Sequence, residues 1–128
     1  MVAGSRGFSD YGLMKRKIEE FLEREAPGRP VRILSGRARG ADRLGERYAR
    51  EAGCALKVFP ADWETHGRSA GPIRNRKMIL SADGAIVFWD GRLRGTGDCL
   101  KRAEEKGIPL RVVLFSGPGE QVLNRRPL

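Results

Sequence analysis

Glycine and arginine cluster at the points where short apolar runs give way to helical patterns. The first apolar run is followed by Gly4-Ser5-Arg6-Gly7, the second by the stretch from Ser35 to Asp42, and the fourth by Gly91-Arg92-Leu93-Arg94-Gly95-Thr96. Glycine lets backbone N–H groups approach a phosphate closely, and a helix N-terminus adds partial positive charge. Arginine contributes a planar fork that matches phosphate or carboxylate. These residue types together predict an anion-binding, and specifically a phosphate-binding, site.

The elements that must position these loops are strands alternating with helices. The pattern predicts strands near 1–3, 31–34, 55–59, 84–89 and 110–115, and helices over about 10–27, 42–52, 72–80 and 96–106. This alternation predicts a Rossmann-like three-layer α/β sandwich, with a parallel five-stranded sheet in the order 3-2-1-4-5 and helices on both faces. The strand-to-helix loops of such a sheet share one edge, where ligands bind. The arginines expected to converge there are Arg6, Arg37, Arg39, Arg68, Arg74, Arg92 and Arg94.

The predicted organisation is a single nucleotide-binding domain over residues 1–116, followed by a loose C-terminal tail over 117–128. Only three residues precede the first glycine turn, where strands usually have about five or six. Either the central strand is short or the start of the chain is missing, and the sequence leaves both interpretations open.

Composition narrows the class of partner. Lysine and arginine number 25 against 16 acidic residues in 128, a formal net charge of +9, which favours an anionic partner such as nucleic acid, a membrane surface or a phosphorylated small molecule. No apolar stretch approaches the ~18 residues of a membrane span. Two cysteines without CxxC spacing indicate a reducing, cytoplasmic location, and the single histidine, His66, excludes a metal site built of histidines. The absence of a Walker A motif disfavours nucleoside triphosphate hydrolysis.

A series of short motifs runs along nearly the whole chain in a fixed order. It comprises Gly4-Ser5-Arg6, Gly40-Ala41-Asp42, Ala61-Asp62-Trp63 with His66-Gly67, Ala70-Gly71-Pro72-Ile73-Arg74-Asn75, and Gly95-Thr96. In this order and spacing, the series resembles the YspA-type (cpYpsA-related, DUF2493) branch of the SLOG superfamily. The resemblance implies a Rossmann-like fold and binding of a nucleotide or nucleotide derivative, such as AMP, ADP-ribose or an NAD-like molecule. It implies no fixed cofactor and no metal.

The same superfamily contains the LOG phosphoribohydrolases, also called lysine decarboxylase-like, which cleave the N-glycosidic bond of nucleoside monophosphates. Their pattern pairs an arginine in an RKxxM helix with a glutamate in PGGxGTxxE. Arg74 takes the place of that arginine, and Met78 that of the methionine. Cys99 stands three residues after Thr96, where the pattern has glutamate, and Asp98 is the nearest carboxylate. The resemblance therefore implies Arg74 and Asp98 as the catalytic pair if the protein is a hydrolase that lacks the usual glutamate, with Asp42 and Asp90 as the other available carboxylates.

The residues expected to bind the ligand and its phosphates are Gly4, Ser5, Arg6, Gly36, Gly40, Ala41, Asp42, Arg74, Asn75, Gly95 and Thr96. Of these, Asp42 is interpreted first as a helix N-cap and second as an acceptor for ligand hydroxyls. Trp63 is expected to pack in the core, with stacking on a base as the alternative. His66 is expected to be structural, and both cysteines to be small buried hydrophobic residues.

Several functions stay open from the sequence. The leading hypothesis is a binder of a phosphorylated small molecule, acting as a sensor or as a hydrolase of an N-glycosidic or phosphate-ester bond. The alternative is a single-stranded nucleic-acid-binding protein, because a related superfamily branch contains the DprA proteins; the few aromatic residues, 7%, argue against it. A third interpretation is a homodimeric interaction module.

Overall fold

The structure is a computed structural model that describes residues 1–92, 94–115 and 122–125. The strands are β1 (Val2–Gly4), β2 (Arg32–Ser35), β3 (Ala55–Val58), β4 (Ala85–Trp89), β5 (Leu110–Phe115) and β6 (Val122–Arg125). The helices are α1 (Tyr11–Glu25), α2 (Ala41–Ala52), the short α3 (Trp63–His66), α4 (Ala70–Ser81) and α5 (Arg94–Lys106), with a 3₁₀ turn over Gly67–Ser69 before α4. The chain is therefore an α/β protein of alternating strands and helices.

The strands form two hydrogen-bonded groups rather than one. β1, β4 and β5 pair in parallel, in that order, and β6 extends this group antiparallel to β5. β2 and β3 form a separate parallel pair. The prediction of a single five-stranded parallel sheet is therefore wrong, although the partial orders 1-4-5 and 2-3 agree with it.

The division falls between β1 and β2, where side-chain packing beside a cavity takes the place of backbone pairing. Val2 and Ile33 share one core, so the two strands lie side by side, but no backbone hydrogen bond joins them within the described residues. β1 has only three residues to pair with β4, and a cavity of about 830 Å³ lies where Met1 and Val2 face Ile33 and Leu34. The interface between β1 and β2 therefore depends on side-chain packing.

Helices cover both faces of the strands because the side chains of β4 alternate between them. Ile86 and Phe88 pack in a core with side chains of α1 and α2. Ala85 and Val87 on the opposite face pack in cores with α4 and α5. A strand buried on both faces reads as a continuous apolar run, as residues 84–89 do. None of the helices in the described ranges is long and apolar enough to cross a membrane.

Three local differences from the sequence predictions bear on the site. No helix is predicted between the strand at 55–59 and the helix at 72–80, but α3 lies there, and its N-cap Asp62 accepts a hydrogen bond from the backbone N–H of Thr65 at 3.1 Å. α4 begins at Ala70 rather than Pro72, because proline is tolerated throughout the first helical turn. Of the predicted loose tail over 117–128, Val122–Arg125 forms β6, and the rest lies outside the described residues.

Candidate functional site

Two adjoining cavities open at the carboxyl ends of β1 and β2. We call the smaller, about 250 Å³, the inner compartment, and the larger, about 700 Å³, the outer compartment. Both are lined by Arg6, Ala38, Arg74, Asn75 and Gly95. Shared walls make the cavities two compartments of one site. Their combined size lies within the ~300–1,000 Å³ range of small-molecule pockets.

Glycine brings the first two strand-to-helix loops into contact. Gly40, just before α2, has φ +77°, and a Cβ on it would lie 2.4 Å from the carbonyl oxygen of Ser5. The backbone N–H of Ala41 donates to that same oxygen at 3.3 Å. The loops can approach this closely because residue 40 has no side chain. The motif glycine therefore builds the wall of the site.

Arg74 joins the second loop to α4. Its Nη1 donates to the carbonyl oxygen of Gly36, and its Nε donates to Oδ1 of Asn75 at 2.8 Å. Arg74 is the fifth residue of α4 and not, as predicted, a residue of the first turn, because the helix begins at Ala70. The guanidinium is thus held in place between two neighbours while it lines both compartments.

Asn75 and Asp98 extend this network to α5. Asn75 Nδ2 donates to the carbonyl oxygen of Gly95 at 3.3 Å and to Oδ2 of Asp98 at 3.1 Å. Arg102 donates from Nε to the same Asp98 oxygen at 2.8 Å and forms an ion pair with it. Asp98 therefore accepts from two side chains, which positions Asn75 and compensates the carboxylate charge at the outer compartment.

Asp42 is the buried carboxylate of the inner compartment. It is only 5% exposed, and its Oδ2 accepts from the backbone N–H of Ala38 at 3.2 Å. Burial raises its pKa to about 6, and hydrogen bonds from the amides of Ala38 and Gly4 and the charge of Arg74 only partly oppose this effect, while Glu46 adds to it. Gly40, not Asp42, occupies the N-cap of α2, so the capping interpretation is wrong.

The raised pKa of Asp42 predicts a pH-dependent difference in stability. The native state binds the proton more tightly than the unfolded chain, so this contribution to the free energy of unfolding is present below about pH 4 and is lost as the pH rises through about 6. Asp42→Asn lacks this titration. As the pH rises from 4.5 to 7.5, the free energy of unfolding of Asp42→Asn should therefore increase by on the order of 2 kcal/mol relative to that of wild type. Urea unfolding of both proteins at the two pH values measures the change, and a pH-independent difference would contradict the assignment.

Three arginines at the outer compartment have uncompensated charges. Arg6, Arg39 and Arg68 line this cavity and make no side-chain hydrogen bond or ion pair with any residue that the structure describes. Arg37 lines it too, but its guanidinium forms an ion pair with Glu46 at 3.2 Å. The compartment therefore carries excess positive charge, as an anion site requires.

The Arg37–Glu46 pair is part of a buried cluster beneath the loop. Glu46 is 3% exposed, and its Oε2 also accepts from the hydroxyl of Ser35 at 2.7 Å. The Ser35 hydroxyl oxygen in turn accepts from the backbone N–H of Arg37 at 3.1 Å. Arg37 adopts a positive φ of 60°, which is uncommon outside glycine. This cluster fixes the bend of the loop, so Arg37 has a structural role.

Trp63 forms an exposed aromatic wall of the outer compartment. Its side chain is 56% exposed, and it lies against Gly71 of α4, where an added Cβ would be 3.6 Å from the ring. The expectation that Trp63 packs in the core is wrong, because it lies in α3, which has no buried residue. An exposed indole beside unpaired arginines is an arrangement suited to base stacking.

Cys99 and Thr96 project from α5 at the inner compartment. Burial raises the pKa of the Cys99 thiol to about 12, with the nearby Asp42 contributing, so the thiol is protonated at neutral pH. Cys99 is 4% exposed, as expected of a small buried hydrophobic residue, whereas Cys54 is only partly buried. Thr96 is 5% exposed and places a hydroxyl-bearing side chain on the same wall.

The structure brings most of the predicted ligand-binding residues together. Those lining the compartments are Gly4, Arg6, Gly36, Asp42, Arg74, Asn75, Gly95 and Thr96. Ser5, Gly40 and Ala41 lie behind this lining, and the Ser5 hydroxyl accepts from the backbone N–H of Asp90 at 3.0 Å. Arg92 and His66 line neither compartment, and the side chain of Arg94 lies outside the described residues.

Sequence reasoning missed two features of the site. The buried Glu46 is four residues after Asp42 on α2, a spacing that places both carboxylates on one helix face. That spacing was the available signal for the cluster with Ser35 and Arg37. The apolar lining by Ala3 and Met78 had no such signal, because alanine and methionine at helical or strand spacing read as ordinary core. The structure contains no group of three or more metal-ligating side chains within its described residues.

Comparison with known proteins agrees with the resemblance in the motifs. Gene 61 protein of Mycobacterium phage D29 is 34% identical to this chain over 116 residues, which cover 86% of this chain and 91% of the phage protein. No solved structure matches the chain significantly. The profile of the family described as YspA, cpYpsA-related SLOG family matches residues 1–66, which include the first two glycine–arginine loops and Trp63. The chain therefore belongs to the YspA, cpYpsA-related SLOG family.

Proposed function

We propose that the protein binds a nucleotide or nucleotide derivative, of the AMP, ADP-ribose or NAD type, in the two compartments. Membership of the SLOG family indicates nucleotide-related binding in general. The observation that carries the proposal is the outer compartment, where Arg6, Arg39 and Arg68 have no compensating partner among the described residues. A phosphate bound there satisfies these guanidiniums and uses arginine's bidentate geometry.

Trp63 supports a nucleotide rather than a bare phosphorylated metabolite as the ligand. The exposed indole and the arginines line the same 700 Å³ cavity, so one molecule can reach both. Stacking of a base on an aromatic side chain is worth ~1–3 kcal/mol. The helix N-terminus at Gly71 and Pro72 also lines this cavity and adds partial positive charge near the phosphate.

The arrangement supports binding, as in a sensor, more strongly than turnover. The position that holds glutamate in the LOG pattern is Cys99, and its buried thiol is protonated at neutral pH. Oδ2 of Asp98 accepts hydrogen bonds from both Asn75 and Arg102, so this oxygen is already engaged by the protein. We therefore propose that Arg74 and Asp98 position the ligand and that hydrolysis of an N-glycosidic or phosphate-ester bond is not their main role.

Isothermal titration calorimetry with AMP, ADP-ribose, NAD, adenosine and inorganic phosphate tests the proposal. We expect at least one of the three nucleotides to give a saturable binding curve, and adenosine and phosphate alone to bind much more weakly. The nucleotide that binds should also raise the melting temperature of the protein by mass action, which a thermal-shift assay measures. The same mixtures, analysed by chromatography for released base, distinguish a sensor from a hydrolase.

The nucleic-acid alternative makes a different prediction about salt. A protein that covers many DNA phosphates loses ~10³-fold or more in affinity between 50 and 200 mM salt. A ligand with one or two phosphates should show a much gentler dependence. No binding of any nucleotide at millimolar concentration, together with tight and steeply salt-dependent binding of single-stranded DNA, would overturn the proposal in favour of the alternative.

A further inference from the structure

The inner compartment differs in chemistry from the outer one. Its walls combine the buried carboxylate of Asp42 and the hydroxyl-bearing Thr96 with the apolar side chains of Ala3 and Met78. Its volume of about 250 Å³ falls below the ~300 Å³ lower end of complete ligand pockets. The inner compartment is therefore large enough for only one part of a ligand, and that part must be able to bind favourably against the Asp42 carboxylate.

A phosphate does not suit Asp42. At neutral pH the carboxylate is ionised and repels an anion placed against it, whereas the outer compartment offers unpaired arginines a short distance away. A carboxylate has about four acceptor positions. The backbone amide of Ala38 occupies one of them, which leaves capacity for donors from the ligand. A nucleotide supplies neutral donors from its sugar hydroxyls and from the amino group of its base. The stacking wall for the base, Trp63, lines the outer compartment and not the inner one, so the sugar hydroxyls are the donors left for Asp42.

We propose that the inner compartment binds the ribose of the ligand, with Asp42 accepting a hydrogen bond from a sugar hydroxyl, so that the site selects nucleotides with an intact ribose over 2′,3′-dideoxynucleotides. The inference rests on the proposed function, because it assumes that the ligand is a nucleotide. The shared walls at Arg6 and Arg74 allow a phosphate in the outer compartment and a sugar in the inner one to belong to one molecule. The apolar side chains of Ala3 and Met78 face the carbon atoms of the sugar ring.

A comparison of AMP with 2′-deoxy-AMP and 2′,3′-dideoxy-AMP tests the inference by calorimetry. Losing a hydrogen bond to a charged group predicts that wild type binds AMP about ten- to a hundredfold more tightly than the dideoxy analogue. The variant Asp42→Asn should bind AMP more weakly and reduce this preference to less than about threefold. Glu23→Gln, an exposed carboxylate change on α1, is the matched control and should keep the full preference.

Each result has a distinct meaning. Equal affinity of wild type for AMP and both deoxy analogues overturns the inference while nucleotide binding itself stands, and this comparison needs no variant. Failure of AMP, ADP-ribose and NAD to bind at all overturns the proposed function and the inference with it. A full ribose preference in a folded Asp42→Asn variant, checked by circular dichroism, overturns the role of Asp42.

Discussion

Replacing Arg6 and Arg39 together by alanine is expected to weaken AMP binding by at least ~10²-fold. Both guanidiniums line the outer compartment without a compensating partner among the described residues, so both are free to bind phosphate. Each charge-assisted hydrogen bond lost costs ~1.5–3 kcal/mol, and two such losses correspond to two or more powers of ten in the dissociation constant. Because neither side chain makes a hydrogen bond or ion pair with a residue that the structure describes, the melting temperature without ligand should stay close to that of wild type.

The matched control removes the same charge from another surface. Arg16 on α1 and Arg50 on α2 are exposed and line neither compartment, so the double variant R16A/R50A has the same net charge as R6A/R39A. It should bind AMP within about threefold of wild type, a small loss from weakened long-range attraction. Similar affinities of the two double variants for AMP would show that general positive charge, and not this site, attracts the ligand.

Gly40→Ala is expected to lower the free energy of unfolding by about 3 kcal/mol or more. The backbone of residue 40 has φ +77° and ψ −124°, a sparsely populated conformation that costs residues other than glycine roughly 1–3 kcal/mol. An added Cβ would also lie 2.4 Å from the carbonyl oxygen of Ser5 and 2.5 Å from that of Arg6, and backbone atoms cannot move aside as a side chain can. The two loops must separate to make room, which opens the wall of the site.

Gly67→Ala isolates the conformational part of this cost. Gly67 has a similar backbone conformation, with φ +53° and ψ −129°, but an added Cβ there meets nothing within 4 Å. It should lose only the conformational part, roughly 1–3 kcal/mol, and at least about 1 kcal/mol less than Gly40→Ala. Equal losses of stability in the two variants, measured by urea unfolding, would contradict the close contact between the loops.

The sequence predicts the location of the site because that location follows from topology. Strand-to-helix loops of parallel strands share an edge, so the glycines and arginines of separate loops could be assigned to one place. Five of the seven arginines expected to converge there do line the compartments: Arg6, Arg37, Arg39, Arg68 and Arg74. Family resemblance and loop composition therefore agree with the geometry.

The features that the sequence could not predict depend on which side chains and strands meet in the folded structure. Arg37 and Arg39 are two positions apart in one loop, yet Arg37 forms an ion pair with the buried Glu46 while Arg39 has no ion-pair partner in the described part of the chain. Tryptophan is a residue type that usually packs in a core, but Trp63 is exposed because α3 has no buried residue. The separation of β2 from β1 likewise corresponds to no motif in the sequence.

Nuclear magnetic resonance titration of ¹⁵N-labelled protein with AMP tests the central claim most directly, because it locates the ligand without any substitution. The account predicts that the largest shifts occur at the backbone amides of Gly36, Gly95 and Thr96 and at the indole N–H of Trp63, all of which line the two compartments. Shifts confined to residues around the separate cavity between Phe21 and Ile33, or no shifts at millimolar AMP, would contradict it.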